Sequence, residues 1–267
     1  MLRTRVIPVL LVNRRKCVKT RRFRNPTYLG DLKNIVRILN EKEVDELVLL
    51  DIAASREQRG PDFDFLKEVV VECFMPVCYG GGITNQHDVR KLFHLGIEKV
   101  SINSFAFKSP SFIGDLARVF GSQSIVVSVD VKKTLFGNYR CYLSGGRVNS
   151  GSKPEDFVKK MEENGAGEIL LNSIECDGMM QGYDLELIKT VSSLVEIPVV
   201  ACGGAGSLED FGKAVFKGGA SAGAGGSFFV FQGVHRAVLV SYPQPSEIEE
   251  LFGYEYSNLM GEPGLNR

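Results

Sequence analysis

Ile125-Val126-Val127-Ser128-Val129-Asp130 is an apolar, β-branched run that closes on a carboxylate. A run of this length and make-up reads as a strand buried on both faces, the kind that builds parallel sheets. Its counterpart near the N-terminus, Val6 to Leu11, has the same apolar build but ends in leucine where the repeat places an acid.

Outward from that run, Val/Ile/Leu-rich segments alternate with segments of helical period. The first half offers strands at Val6 to Leu11, Glu46 to Asp51, Met75 to Tyr79 and Lys99 to Ser104. Its helices are one capped by Asp31 with Ile35, Ile38 and Leu39 on one face, one at Phe65 to Phe74, one capped by Asn85, and one at Ser111 to Phe120. The second half repeats the pattern, with strands at Ile125 to Asp130, Glu168 to Ser173, Pro198 to Cys202 and Ser221 to Ser227. Helices fall at Pro154 to Asn164, at Leu185 to Val195 and behind Ser207.

Landmark spacings nearly coincide between the halves: Leu11 to Asp51 is 40 and Asp130 to Asn172 is 42, while Gly81 to Ser104 is 23 and Gly203 to Ser227 is 24. Four strand–helix units in a fixed register, occurring twice, mark an internal duplication. They predict an α/β fold, a single (β/α)₈ TIM barrel over residues 1–245, with halves about 1–120 and 121–245 and a C-terminal tail at 246–267. A doubly wound sheet is the alternative, disfavoured because no G-x-G-x-x-G opens the first helix. After Ser227 the order weakens, with a β-branched stretch at Val234 to Tyr242 and a short helical stretch at Glu247 to Leu251.

The formal net charge of zero over 267 residues argues against a nucleic-acid-binding chain, although Arg21, Arg22 and Arg24 form a local basic cluster. The six cysteines are scattered without a CxxC pair, and the three histidines share no ligand spacing. Reduced thiols in a cytoplasmic protein are expected, with no metal, no cofactor, no secretory leader and no membrane span.

In a parallel barrel, chemistry belongs to the C-terminal ends of the strands. Asp51, Gly80 to Gly82, Asn103, Ser104, Asp130, Ser173, Gly203, Gly204 and Ser227 fall there. A glycine cluster lets backbone N–H groups approach an anion, and each cluster is followed one strand later by a serine. A glycine pair alone reads equally as a tight βα turn; two equivalent clusters predict two phosphate cradles and a small molecule phosphorylated at both ends. Asp130 reads as a general acid or base, whereas Asp51 reads either that way or as a group that fixes loop geometry. At the opposite face Arg5, Glu46, Lys99 and Glu168 stand at strand entrances. They either close a ring of ion pairs or are simply solvated.

These residues resemble the HisF family, the cyclase subunit of imidazole glycerol phosphate synthase, over roughly residues 1–230. The resemblance is carried by Val-Leu-Leu-Asp-Ile (48–52), Gly-Gly-Gly-Ile (80–83), Lys-Val-Ser-Ile-Asn-Ser (99–104) and Phe-Gly-Ser-Gln-Ser (120–124). Gly-Ala-Gly-Glu-Ile-Leu-Leu-Asn-Ser-Ile (165–174), Gly-Tyr-Asp (182–184) and Gly-Gly-Ala-Gly-Ser (203–207) complete it. It implies a barrel that takes ammonia from a glutaminase (HisH-like) partner at its bottom face, past a gate of Arg5, Glu46, Lys99 and Glu168, to a ribonucleotide at the top. By the same resemblance Gly82, Asn103 and Ser104 match one phosphate site, Asp177, Gly178, Gly204, Gly226 and Ser227 match the other, and Lys19 belongs to the loop that closes over substrate.

The departure from the family is Leu11. The family pairs two aspartates as acid and base; here Asp130 is present and the first is replaced by a side chain that cannot transfer a proton. General acid–base groups contribute about 10²- to 10⁴-fold. Glu175 and Cys202 also replace a usual Asp and Ser. A retained gate with a broken acid–base pair resembles the HisF-like paralogues of WbuZ type, which implies support for amidation of an N-acetyl sugar in surface polysaccharide, finished by a separate sugar amidotransferase. A working cyclase using Asp130 with Asp51 or Glu175, and a non-catalytic scaffold, are the two other readings.

Overall fold

Eight short and largely apolar runs, rich in Val, Ile and Leu except for Val77–Gly80 and the Ala-Gly-Ala-Gly of Ala222–Gly225, become the staves of a closed parallel barrel, whose strands are covered on both faces. The computed structural model describes residues 4–134 and 136–259, with side chains through residue 253. Of the expected tail, residues 260–267 lie outside the described residues.

The staves are β1 (Arg5–Asn13), β2 (Leu47–Asp51), β3 (Val77–Gly80), β4 (Lys99–Ile102), β5 (Ile125–Lys133), β6 (Glu168–Ser173), β7 (Val199–Cys202) and β8 (Ala222–Gly225). Each pairs in parallel with the next, and β8 pairs with β1. The register is staggered as closure requires. Val9, Val48, Cys78 and Lys99 lie side by side, then Ser101, Val126 and Glu168, then Leu170, Val200, Ala222 and Arg5. The steps from Lys99 to Ser101, Glu168 to Leu170 and Arg5 to Val9 together shift the ring by eight residues, the stagger of an eight-stranded barrel of this kind.

Side chains then alternate between two environments. Ile7, Val9, Leu11, Val48, Cys78, Val126, Leu170, Val200, Cys202, Ala222 and Ala224 pack inside the barrel. Val6, Leu10, Val12, Leu47, Leu49, Val127, Val129, Ile169 and Leu171 pack outward against the helices.

The helices are α1 (Leu32–Glu41), α2 (Phe63–Val70), α3 (Gln86–His94), α4 (Ser111–Phe120), α5 (Pro154–Glu163), α6 (Leu185–Ser192), α7 (Leu208–Phe216) and α8 (Pro245–Leu259). Asp31 caps α1 by accepting from the Lys33 and Asn34 amides, Asn85 caps α3 through Asp88, and Ser207 with Asp210 closes a capping box on α7. Short helices follow β4 (Ser104–Lys108) and β8 (Ser227–Val230), one in each half. Among the described residues no helix is long and apolar enough to cross a membrane.

Two connections differ from the plain loops expected. Lys16–Arg21 turns back antiparallel on β1 and pairs with Arg24–Gly30. Beyond Asp130, β5 continues and pairs with Tyr139–Leu143. The first hairpin leaves β1 through Arg14 and Arg15 and reverses at Arg22 and Phe23, all four at positive φ. Tight hairpin turns demand that conformation and usually announce it with Gly or Asn; here no glycine marks the place.

The eighth helix also differs. The stretch expected at Glu247 to Leu251 extends over α8, burying Ile248 and setting Leu251 Cδ1 3.0 Å from where a Cβ on Gly212 of α7 would stand. Just ahead of it, the Tyr242 hydroxyl donates to the Val6 carbonyl at 2.8 Å, tying this late segment to β1. Ile248→Ala should therefore cost about 2–5 kcal/mol of unfolding free energy in a urea titration; a cost within ~0.5 kcal/mol, typical of surface sites, would show that α8 does not complete the wall.

Candidate active site

The bottom of the barrel is closed by charge. Arg5 of β1, Glu46 just before β2, Lys99 of β4 and Glu168 of β6 share the inward parity. Arg5 donates to Glu46 and, at 2.8 Å, to Glu168; Lys99 lies 3.2 Å from each of the same carboxylates. Positive and negative charges alternate around a closed ring of four. Burial works against the Arg5 charge, but Glu168 and Glu46 outweigh it and hold the guanidinium pKa above its ordinary value.

Above the ring the lumen has two kinds of wall. Ile7, Val9 and Leu11 of β1 and Val48 and Leu50 of β2 make one side apolar. Ser101 of β4, Ser128 of β5 and Asn172 of β6 make the other side polar. The Ser101 hydroxyl and the Asn172 carbonyl oxygen are buried without a hydrogen-bond partner among the described residues. These positions were missed as site residues, yet each lies an even number of residues from Lys99, Asp130 or Glu168, so strand parity alone points them inward.

The top opens into a cavity of ≈ 640 Å³, well within the range of small-molecule sites. Asp130 stands in it, buried, its Oδ2 accepting from Asn103 Nδ2 at 2.9 Å. Burial, with Asp177 adding repulsion, raises its pKa to about 7 in spite of the Asn103 hydrogen bond. Leu11 lines the same cavity and contributes only apolar surface. The nearby Cys202 thiol is pushed up to about 12, chiefly by burial and then by Asp177, so it is not a thiolate at neutral pH.

The two expected second acids are engaged by other groups. Asp51 has the outward parity of β2, accepts from the Ala53 and Ala54 amides at 3.0 and 3.1 Å and pairs with Arg59 at 2.8 Å. It holds the loop after β2. Glu175 accepts from the Lys133 amide at 3.3 Å.

The two glycine clusters behave differently. Gly82, Asn103 and Ser104 all line the cavity. Gly82 is held at φ +70°, with the Arg59 carbonyl 2.2 Å from where a Cβ would be, so only glycine fits. Ser104 Oγ accepts from the Ser144 amide of the fifth-loop hairpin at 3.0 Å. In the other cluster Gly226 reaches the cavity, whereas Gly178, Gly204 and Ser227 are buried behind it. Lys19, from the first-loop hairpin, is buried and pairs with Asp177 at 2.8 Å, and Thr20 donates to the same carboxylate at 3.2 Å. Arg236 donates to the Gly178 carbonyl at 2.9 Å and to Ser227 Oγ at 3.1 Å. Among the described residues, no group of three or more His, Cys, Asp or Glu is placed to hold a metal ion.

The Asp130 pKa has a stability consequence. Below about pH 4 the carboxyl is protonated in both states; between about 4 and 7 the folded chain keeps a proton that the unfolded chain releases. Stability therefore falls with rising pH across that window, by at most about 1.4 kcal/mol per pH unit from this group, and levels off above it. Asp130→Asn lacks the effect. Urea titrations from pH 4.5 to 8 should show the variant gaining on wild type as pH rises to about 7; a constant difference would mean that the carboxyl is not perturbed.

Comparison with known proteins agrees with the barrel fold. The model of the histidine biosynthesis protein family, His_biosynth, matches residues 5–235. A Pseudomonas aeruginosa protein provisionally named imidazole glycerol phosphate synthase subunit hisF2 is 48% identical over 249 residues, 93% of this chain and 99% of that protein. Imidazole glycerol phosphate synthase subunit HisF of Alkaliphilus metalliredigens is 43% identical over 234 residues, 88% of this chain and 93% of that one. The HisF subunit of Dictyoglomus thermophilum is 45% identical over 231 residues, 86% and 91% respectively. A closed parallel barrel, a family match across nearly all of it and relatives aligned over more than nine-tenths of their lengths together place this chain in the HisF family of histidine biosynthesis proteins.

Proposed function

We propose that this chain is the ammonia-accepting barrel of a glutamine-dependent amidotransferase pair, with a HisH-type glutaminase seated on its bottom face. The observation that carries the reading is the ring of Arg5, Glu46, Lys99 and Glu168 across the lower end of a lumen that leads to Asp130. Four alternating charges hold each other in place and form a plug that opens when any one side chain swings away. Partly buried ion pairs of this kind add little to stability because desolvation offsets their attraction. A gating role gives the ring a reason to be there. Above it, Ser101 and Ser128 offer hydrogen-bonding oxygens along one wall, a path suited to a small polar molecule.

At the mouth, the Asp130 carboxyl is poised for proton transfer near neutral pH, and Leu11 supplies no second proton-transfer group. Ring closure that needs an acid and a base is therefore disfavoured by the order of one lost group, about 10²-fold or more. We read the chain as a HisF-like paralogue whose ammonia serves amidation of an N-acetyl sugar in surface polysaccharide, completed by a separate amidotransferase. The cyclase reading draws its support from the Asp130–Asn103 pair and the open glycine cradle. The charge ring favours both over a purely passive scaffold.

Mixing the purified chain with a HisH-type glutaminase tests the reading. A one-to-one complex should form, and glutamine hydrolysis should rise about 5-fold or more, the low end of intersubunit coupling. Lys99→Met removes two of the four ring contacts, and should leave the complex intact while changing the stimulated rate. No complex and no stimulation would remove the glutaminase partner from the account.

A further inference from the structure

Charge that cancels over the whole chain is segregated within it. Residues 14–30, 131–153 and 226–244 leave the C-terminal ends of β1, β5 and β8, and together they carry thirteen Lys and Arg with no Asp or Glu. All thirty-two acids lie elsewhere. Arg14, Arg15, Lys19 and Lys133 are paired with Glu57, Asp62, Asp177 and Glu186; the other nine basic side chains form no ion pair among the described residues.

Exposed apolar surface is gathered on the same three connections. Tyr28, Phe136, Val148, Val234, Val238 and Leu239 are six of the ten large apolar side chains exposed among the described residues. Phe136 stands at the turn of the fifth-loop hairpin, 91% exposed, with Lys132, Lys133 and Arg140 on its strands. Val234 stands at the turn of the hairpin that pairs Phe231–Gln232 with Ala237–Val238, 93% exposed and followed by His235 and Arg236. The three connections adjoin one another. Phe23 Cδ2 lies 2.9 Å from where a Cβ on Gly146 would stand, and burial and then the Arg21 charge lower the Arg236 pKa. The ligand cavity does not account for this surface, since Lys16, Arg24, Lys132, Phe136, Val234 and Leu239 are all outside its lining.

We infer that the top face is a docking surface for an anionic lipid bilayer, with Phe136 and Val234 entering the headgroup layer and the basic side chains of the three connections held against lipid phosphates. Apolar side chains exposed at turns and basic side chains gathered without acids are both unfavourable in water alone. Both are relieved by an apolar layer bordered by anions. Two apolar turns on separate hairpins suit a fluid layer, which conforms to each without presenting a shaped pocket to either. The protein lies on the bilayer rather than crossing it, since among the described residues no helix is long and apolar enough to span one. The bottom face of the barrel stays free.

Sedimentation of the full-length chain with lipid vesicles tests the inference. With equal parts phosphatidylcholine and phosphatidylglycerol the chain should pellet with the vesicles, and with phosphatidylcholine alone it should stay in the supernatant. Raising sodium chloride from about 0.05 M to about 0.5 M should release it, because salt shortens the reach of the surface charge. Phe136→Ser, Val234→Ser and Arg24→Glu, all at exposed positions, should each weaken binding about threefold or more with the thermal midpoint unchanged. Phe74→Ser is the control: that side chain is 87% exposed at the other end of the barrel, close after Glu72, and its loss should leave vesicle binding unchanged. No binding to the mixed vesicles, equal binding to phosphatidylcholine alone, loop variants that bind like wild type, or equal weakening by Phe74→Ser would overturn the inference. Salt-sensitive binding to polyglutamate without vesicle binding would overturn it too and assign the face to an acidic protein.

Discussion

Closure of the barrel at a stagger of eight residues decides what every strand residue does. Once Val9, Val48, Cys78 and Lys99 lie in one row and Leu170, Val200, Ala222 and Arg5 in another, odd and even positions are sorted into lumen and helix-facing wall with no freedom left. A slip of one residue in any stave would exchange the two sets. The charge ring at the bottom and the carboxyl at the top are both products of that sorting, since Glu168 and Asn172 on β6, and Ser128 and Asp130 on β5, occupy the inward parity while Asp51 on β2 does not.

The lumen joins two kinds of electrostatics. At the bottom, four charges cancel by direct contact. At the top, Asp130 meets desolvation and the repulsion of Asp177, is assisted only by an amide from Asn103, and so titrates near 7. With Leu11 across from it, one proton-transfer group remains where the family resemblance implies two. The two sides of the mouth differ because of the long loops, chiefly the first-loop hairpin that brings Lys19 and Thr20 onto Asp177.

The parallel barrel, the caps at Asp31, Asn85 and Ser207, the inward Asp130 and the positions of the four ring charges were legible because each depends on local period or on a strand end. The first-loop hairpin was not. Arg14-Arg15 and Arg22-Phe23 take left-handed turn conformations without glycine or asparagine, so the signals that announce a hairpin are missing. Asp51 was ambiguous until the frame of β2 was known, because the residue ending a strand faces inward or outward according to register. The contacts of Lys19 with Asp177 and of Arg236 with Ser227 were out of reach for a simpler reason: both side chains arrive from distant segments, and no spacing within the cradle records them.

The central claim is that Leu11 has removed the chain from cyclisation chemistry while the ammonia route remains. The most direct measurement is turnover of the HisF-family ribonucleotide by the purified chain supplied with free ammonia, which bypasses the glutaminase and the ring. The account predicts a rate at least about 10²-fold below an ordinary enzyme's ~1 per second. Turnover at about 1 per second or faster would contradict it and make this barrel a working cyclase.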